Sequence, residues 1–207
     1  MMSTPVLVSG SALDEETARA ELYGLLATLY YAPPTAPLLA QLRVAVTDAP
    51  AAGAFLEAPW RALVGVARTM TDQEIDGEYQ ALFGGVGKPE VYLYASYYLS
   101  GFLNEKPLAR LRDELRKLGL VRDLAMSESE DHIAYLCEVM RYLIAAEDVT
   151  SANLASQRAF FTSQLQPWVA TMCKDLQCHP KAHFYRFLAE LTAAFVSVET
   201  EGFELLA

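Results

Sequence analysis

Ile133, Leu136, Cys137, Met140, Leu143 and Ile144 recur at spacings of three and four, so a single apolar stripe runs for three helical turns. Successive residues of a strand point to opposite faces, so this period cannot bury one face of a sheet, and the segment predicts a helix. Leu22, Leu25, Leu26 and Leu29 repeat the pattern near the start of the chain, and Pro33 and Pro34 end it. Further helical stretches are read over 38–46, 55–70, 96–103, 107–118, 153–166, 168–176 and 182–198, with Pro107 in the first turn of one and Gly119 stopping it. Another begins at 71, where Thr71 or Asp72 can cap and Ile75, Tyr79, Leu82 and Phe83 form the apolar face. Ser127 to Glu130 has the form of a capping box that would open the 133–144 helix early. Residues 48–53 read as a connection and 84–94 as a loop, and no alternating strand pair is found. The expectation is an all-α, single-domain bundle of about nine to eleven helices over 13–207, with 1–12 as a flexible tail.

Hydrophobic content of 53% against 20% charged residues excludes a wholly disordered chain. The 16 Lys and Arg face 26 Asp and Glu, and the resulting −10 repels nucleic acid and anionic membranes but attracts a basic peptide. Cys137, Cys173 and Cys178 cannot all pair within the chain, and the apolar run at 6–8 is too short for a signal peptide or a membrane span. A reducing cytoplasm without stable membrane insertion is expected.

Several constellations carry chemistry at first sight. Gly84, Gly85, Gly87 and Lys88 suggest a phosphate-binding loop, but Leu82 stands where its first glycine belongs and Pro89 replaces the magnesium-binding hydroxyl. Cys173, Cys178, His179 and His183 are zinc-type ligands at the wrong spacing, so no metal is assigned. No Ser or Cys lies in a nucleophile elbow, and no catalytic residue is named. Glu128, Asp131 and His132 remain. On a helical wheel Glu128 and His132 border the apolar face and Asp131 lies on its far side. First-turn acids complement a helix dipole in any case, and the residues alone favour that reading over a functional one. The aromatic set Tyr79, Phe83, Tyr92, Tyr94, Tyr97, Tyr98 and Phe102 combines core with a surplus of tyrosine suited to a partner-binding groove.

In order, Glu78-Tyr79-Gln80-Ala81-Leu82-Phe83-Gly84, Pro89, Tyr94-Ala95-Ser96-Tyr97 and Glu128-Ser129-Glu130-Asp131-His132 resemble the TorD/DmsD/NarJ family of redox-enzyme maturation chaperones. Leu165-Gln166-Pro167-Trp168 and the 184–191 segment are similar to later motifs, so the likeness covers 79–195, and more loosely 21–31. The resemblance implies a cytoplasmic chaperone, not an enzyme, without a required cofactor. Its implied partners are the twin-arginine signal peptide and the apo form of a molybdopterin-containing oxidoreductase, held until cofactor insertion and export. It implies a peptide site of Tyr79, Leu82, Phe83, Tyr94, Ser96, Glu128, Asp131 and His132. It also implies weak guanine-nucleotide binding and either a monomer or a domain-swapped dimer. Ser129 stands where the family has proline, and Gln164 where it has histidine. The competing classes are a nucleotide-dependent switch or enzyme using Glu128 and His132, and a metal-binding accessory subunit using Cys178, His179 and His183.

Overall fold

The computed structural model describes residues 10–47, 56–84, 88–122, 127–145 and 151–205. Ten helices are found among them: α1 (Gly10–Tyr31), α2 (Ala36–Val44), α3 (Glu57–Thr69), α4 (Asp72–Leu82), α5 (Ala95–Ser100), α6 (Lys106–Lys117), α7 (Ile133–Ala145), α8 (Ser151–Gln164), α9 (Val169–Cys178) and α10 (Phe184–Glu204). The described residues hold no strand, and the all-α expectation stands. Of the tail read at 1–12, residues 1–9 lie outside the described residues, and so do the connection at 48–53 and residues 85–87 of the glycine-rich loop.

Local chemistry sets several of these boundaries. Thr71 and Glu74 form the capping box of α4: the Glu74 amide donates to Thr71 Oγ1 at 3.3 Å, and the Thr71 amide donates to Glu74 Oε2 at 2.7 Å. At the end of α6, Gly119 takes φ 71°. The Leu120 amide reaches back to the Leu115 carbonyl and the Gly119 amide to that of Arg116, which is a Schellman ending.

Helix α7 sits at the centre, buried along Ile133, Leu136, Cys137, Met140 and Leu143, with α1 packed along one side and α8 along the other. Helix α10 packs on α3, α4 and α9 and brings Phe184, Tyr185, Leu188 and Phe195 inward. Leu108, Leu111 and Leu115 turn the inner face of α6 toward the core, and α5 packs against α6 and α9.

The structure corrects several boundaries: residues 10–12 of the expected tail belong to α1, α5 stops at Ser100, α10 runs on to Glu204, and α7 starts later. Helix α7 starts at Ile133, not in the Ser127 region, and Ser127 reaches only the neighbouring Glu128 carboxylate. A first turn through 131 would direct the Asp131 carbonyl to Tyr135. Instead that carbonyl accepts from the Ala95 amide at 2.9 Å, and the Ile133 amide donates to the Leu93 carbonyl at 2.8 Å. This isolated antiparallel bridge, Tyr94 with His132, engages the groups that the extra turn would need.

A buried charge network joins α1 to α10. Arg19 donates to both oxygens of the buried Glu199 at 2.7 and 2.8 Å, and Tyr23 adds its hydroxyl at 3.0 Å. Gln157 of α8 accepts from Arg19 at 3.4 Å and donates to the Leu143 carbonyl of α7. Removing one partner of such a pair strands the other charge in the interior. Arg19→Met should therefore lower the unfolding free energy by about 3–5 kcal/mol in urea titrations, and adding Glu199→Leu should recover much of the loss.

Candidate functional site

The end of α4, the 93–96 segment and the 127–132 segment meet beside the end of α1. Glu78 falls in register with the apolar Ile75 and Leu82, and all three are buried. Its carboxylate accepts from the amides of His183, Phe184 and Tyr185 at 2.8, 3.0 and 2.8 Å, which fastens the start of α10 onto α4. An acid on an apolar stripe was the sequence signal for this role.

Tyr79 and Phe83 lie on the more open flank of α4. Their rings meet edge to face at 5.1 Å, and both meet the buried Tyr185 ring, at 5.7 and 5.0 Å. The Tyr79 hydroxyl donates to the Tyr31 carbonyl at 2.7 Å, tying α4 to the last residue of α1. Burial, aided by Glu128, pushes the Tyr79 phenol up to about 12, so it stays a donor at neutral pH. Leu82 is completely buried beneath this pair and supports it without being open to a ligand.

Tyr94 is half-buried opposite. Its ring meets that of His132 at 5.0 Å, and its hydroxyl donates to Glu128 Oε2. Burial first, then this bond, raises the Tyr94 phenol well above its usual range. The Tyr31 ring closes the other side of His132, edge to face at 6.5 Å. Tyr31 was not legible as a site residue, because its neighbours are distant in sequence.

The three residues of the acid-and-histidine cluster behave differently. Asp131, expected on the far side of a helix, is buried at 1% exposure. Its Oδ2 accepts from the Ser96 amide at 2.9 Å, at the N-terminus of α5, and its Oδ1 from the Ser129 hydroxyl at 2.5 Å. Ser129 thus steadies Asp131 where the family has proline. Ser96 is itself fully buried and presents its amide, not a surface.

His132, expected on a helix border, is only 4% exposed and occupies the N-cap place of α7. Its carbonyl takes the Leu136 amide at 3.2 Å, and its Nδ1 accepts from the Ala134 amide at 3.2 Å. Burial lowers its pKa from 6.5 to about 4 against the pull of Glu128 and Asp131. The imidazole is neutral at pH 7, and the cap needs that unprotonated nitrogen.

Glu130 is buried and held by Arg112 through both oxygens, at 2.9 and 2.8 Å. Burial alone would raise its carboxyl, but the Arg112 fork outweighs burial and holds it below the usual range. Arg122 donates to the Ser127 and Glu128 carbonyls and braces the same segment. Glu128 is left half-exposed, and among the described residues its carboxylate accepts from the hydroxyls of Tyr94 and Ser127.

Gln164, set where the family has histidine, is a bracket between helices. Its Nε2 donates to Glu114 of α6 at 2.7 Å, and its carbonyl accepts from the Trp168 indole at 2.6 Å. Among the zinc-type residues, Cys173 is buried, Cys178 is exposed and His179 faces Glu90. No three of His, Cys, Asp and Glu among the described residues gather as a metal cage. No helix among them is long and apolar enough to cross a membrane.

A family model described as nitrate reductase delta subunit matches residues 50–174, which include α4 to α7 and all eight residues expected to bind peptide. The chain belongs to this family. It is the grouping that the TorD/DmsD/NarJ motifs indicated. The chain is 28% identical over 138 residues to a protein named chaperone protein TorD from Vibrio atlanticus (strain LGP32), covering 62% of this chain and 63% of the relative. It is 30% identical over 145 residues to the TorD of Ferrimonas balearica, covering 67% and 64%. With the TorD of Colwellia psychrerythraea it shares 27% identity over 225 aligned residues, covering 91% and 92%. The matches to the first two thus span less than two thirds of those relatives' lengths.

The geometry at His132 gives a pH prediction. The unfolded imidazole takes up its proton near 6.5 and the folded one only near 4, so the unfolded chain binds more protons across that interval. Stability is complete above pH 6.5 and falls as the pH drops toward 4, by up to about 3 kcal/mol. His132→Asn keeps a capping acceptor without a titrating group. In denaturant titrations from pH 7 to 4, the wild type should lose this increment relative to His132→Asn.

Proposed function

We propose that the protein is a cytoplasmic maturation chaperone that binds the twin-arginine signal peptide of a molybdopterin-containing oxidoreductase before its cofactor is inserted. One observation carries the reading: a half-exposed carboxylate, Glu128, accepts from Tyr94 and lies near enough to Tyr79 to raise its phenol, and the Tyr79 ring packs on Phe83. A signal peptide of this type presents guanidiniums followed by an apolar segment. Carboxylates recognise the first, aromatic walls receive the second, and tyrosine faces also attract cations. The net charge of −10 favours encounter with a cationic peptide. The names of the relatives support a chaperone.

Within the eight residues expected to bind peptide, the geometry supports two tasks. Tyr79, Phe83, Tyr94 and Glu128 have surface that a peptide can reach, whereas Leu82, Ser96, Asp131 and His132 hold that surface in place. An acid/base role for Glu128 and His132 would need an imidazole that exchanges protons near neutrality. His132 does not, because burial holds it at about 4 and its Nδ1 caps α7.

The test is peptide titration by calorimetry with a twin-arginine leader. Glu128→Gln should weaken binding about tenfold while moving the melting temperature little, since Glu128 is half-exposed and the glutamine still accepts from Tyr94. The charge-dependent part should fade as salt rises past about 0.15 M, where the screening length is about 8 Å. Equal affinity of wild type and Glu128→Gln, or of leaders with and without arginines, would remove the guanidinium from this reading.

A further inference from the structure

We infer that the cleft has a place for one guanidinium only, so that the two arginines of a bound leader are read unequally. The inference rests on the peptide-binding reading and concerns how its charged end is recognised. Six carboxylates lie near the rings of the cleft: four already have amide, guanidinium or ammonium partners, and Asp76 stands exposed one turn before Tyr79 on α4. Glu78 takes three backbone amides of α10, and Asp131 takes the Ser96 amide and the Ser129 hydroxyl. Glu130 is held in a two-pronged contact by Arg112. Glu90, whose amide bonds the Leu82 carbonyl, pairs with Lys181 at 2.6 Å and faces His179.

Glu128 differs in the kind of partner it has. Tyr94 and Ser127 are neutral donors, each engaging one oxygen, and each oxygen keeps a second lone pair. Both oxygens therefore keep accepting capacity for a guanidinium, and Tyr94 and Tyr79 lie close enough for Glu128 to act on their phenols. Among the described residues, no cationic side chain is paired with it. Arg122, the nearest cation along the chain, donates to main-chain carbonyls of the same segment. A second guanidinium would have to break an existing ion pair, uncap a helix, or reach the exposed Asp76, one turn before Tyr79 on α4.

Four synthetic leaders, carrying Arg-Arg, Arg-Gln, Gln-Arg and Gln-Gln at the paired position, separate the possibilities by titration against the full chain. One single substitution should weaken binding about tenfold, as much as the double substitution, and the other should stay within about twofold of Arg-Arg. Against Glu128→Gln the four peptides should bind nearly alike. Two comparable losses that multiply in Gln-Gln would overturn the single-guanidinium inference while leaving peptide binding intact. So would an Asp76→Asn variant that abolishes the contribution of one arginine. Arg-Arg and Gln-Gln leaders of equal affinity for the wild type would instead overturn the charge reading on which it rests.

Discussion

The cleft depends on one short antiparallel bridge. The Asp131 carbonyl takes the Ala95 amide, and the Ile133 amide donates to the Leu93 carbonyl. These two bonds join segments almost forty residues apart in sequence, and three further features follow from them. They stop α7 from extending backward, set the Asp131 carboxylate at the start of α5, and bring Tyr94 against His132. Two backbone bonds in a buried position are hard to replace, because each group left unpaired there costs roughly the desolvation of a peptide group. The site is therefore preorganised from below, by main chain, before any side chain meets a ligand.

Around this bridge, buried acids act as fasteners between elements. Glu78 ties α10 to α4, Glu130 binds Arg112 of α6, and Glu199 draws α1 to α10 through Arg19. Each is matched to backbone amides or a guanidinium, and this full satisfaction makes a charged interior tolerable. The arrangement also orders the electrostatics of the cleft. The acids beneath it are satisfied by backbone amides, a hydroxyl or the Arg112 guanidinium, the imidazole is kept uncharged, and Glu128 keeps its carboxylate half-exposed. A binding surface built in this way separates recognition from scaffold, so the acid-rich segment 127–132 contributes to stability and to binding through different residues.

Periodicity fixed a good deal by itself. Stripes of three- and four-residue spacing placed α1, α4 and α7, Pro107 and Gly119 bounded α6, and Pro33 and Thr71 marked an end and a start because their constraints are local. The ordered motifs around Tyr79, Tyr94 and His132 also indicated the family, which the match over 50–174 bears out. The role of Glu78 went unread, although an acid on the stripe of Ile75 and Leu82 is a signal that could have found it.

Tertiary structure decided the rest, because a helical wheel knows only its own helix. It set Asp131 on an outer face and His132 on a border, assuming a helix from Ser127 onward, whereas the Ala95 amide and the Leu93 carbonyl drew that segment into a bridge and buried both residues. Capping strength at Ser127 is a local term of about 1 kcal/mol, and two buried backbone bonds together with the Arg112–Glu130 contact exceed it. The parts played by Tyr31, Arg112 and Gln164 follow from partners some fifteen to a hundred residues away, which no local pattern specifies. The sequence determined which residues could form the cleft. The fold determined that Glu128 is the carboxylate left open to a cation, because the neighbouring acids took amides or a guanidinium from other elements whereas Glu128 is met by the neutral hydroxyls of Tyr94 and Ser127.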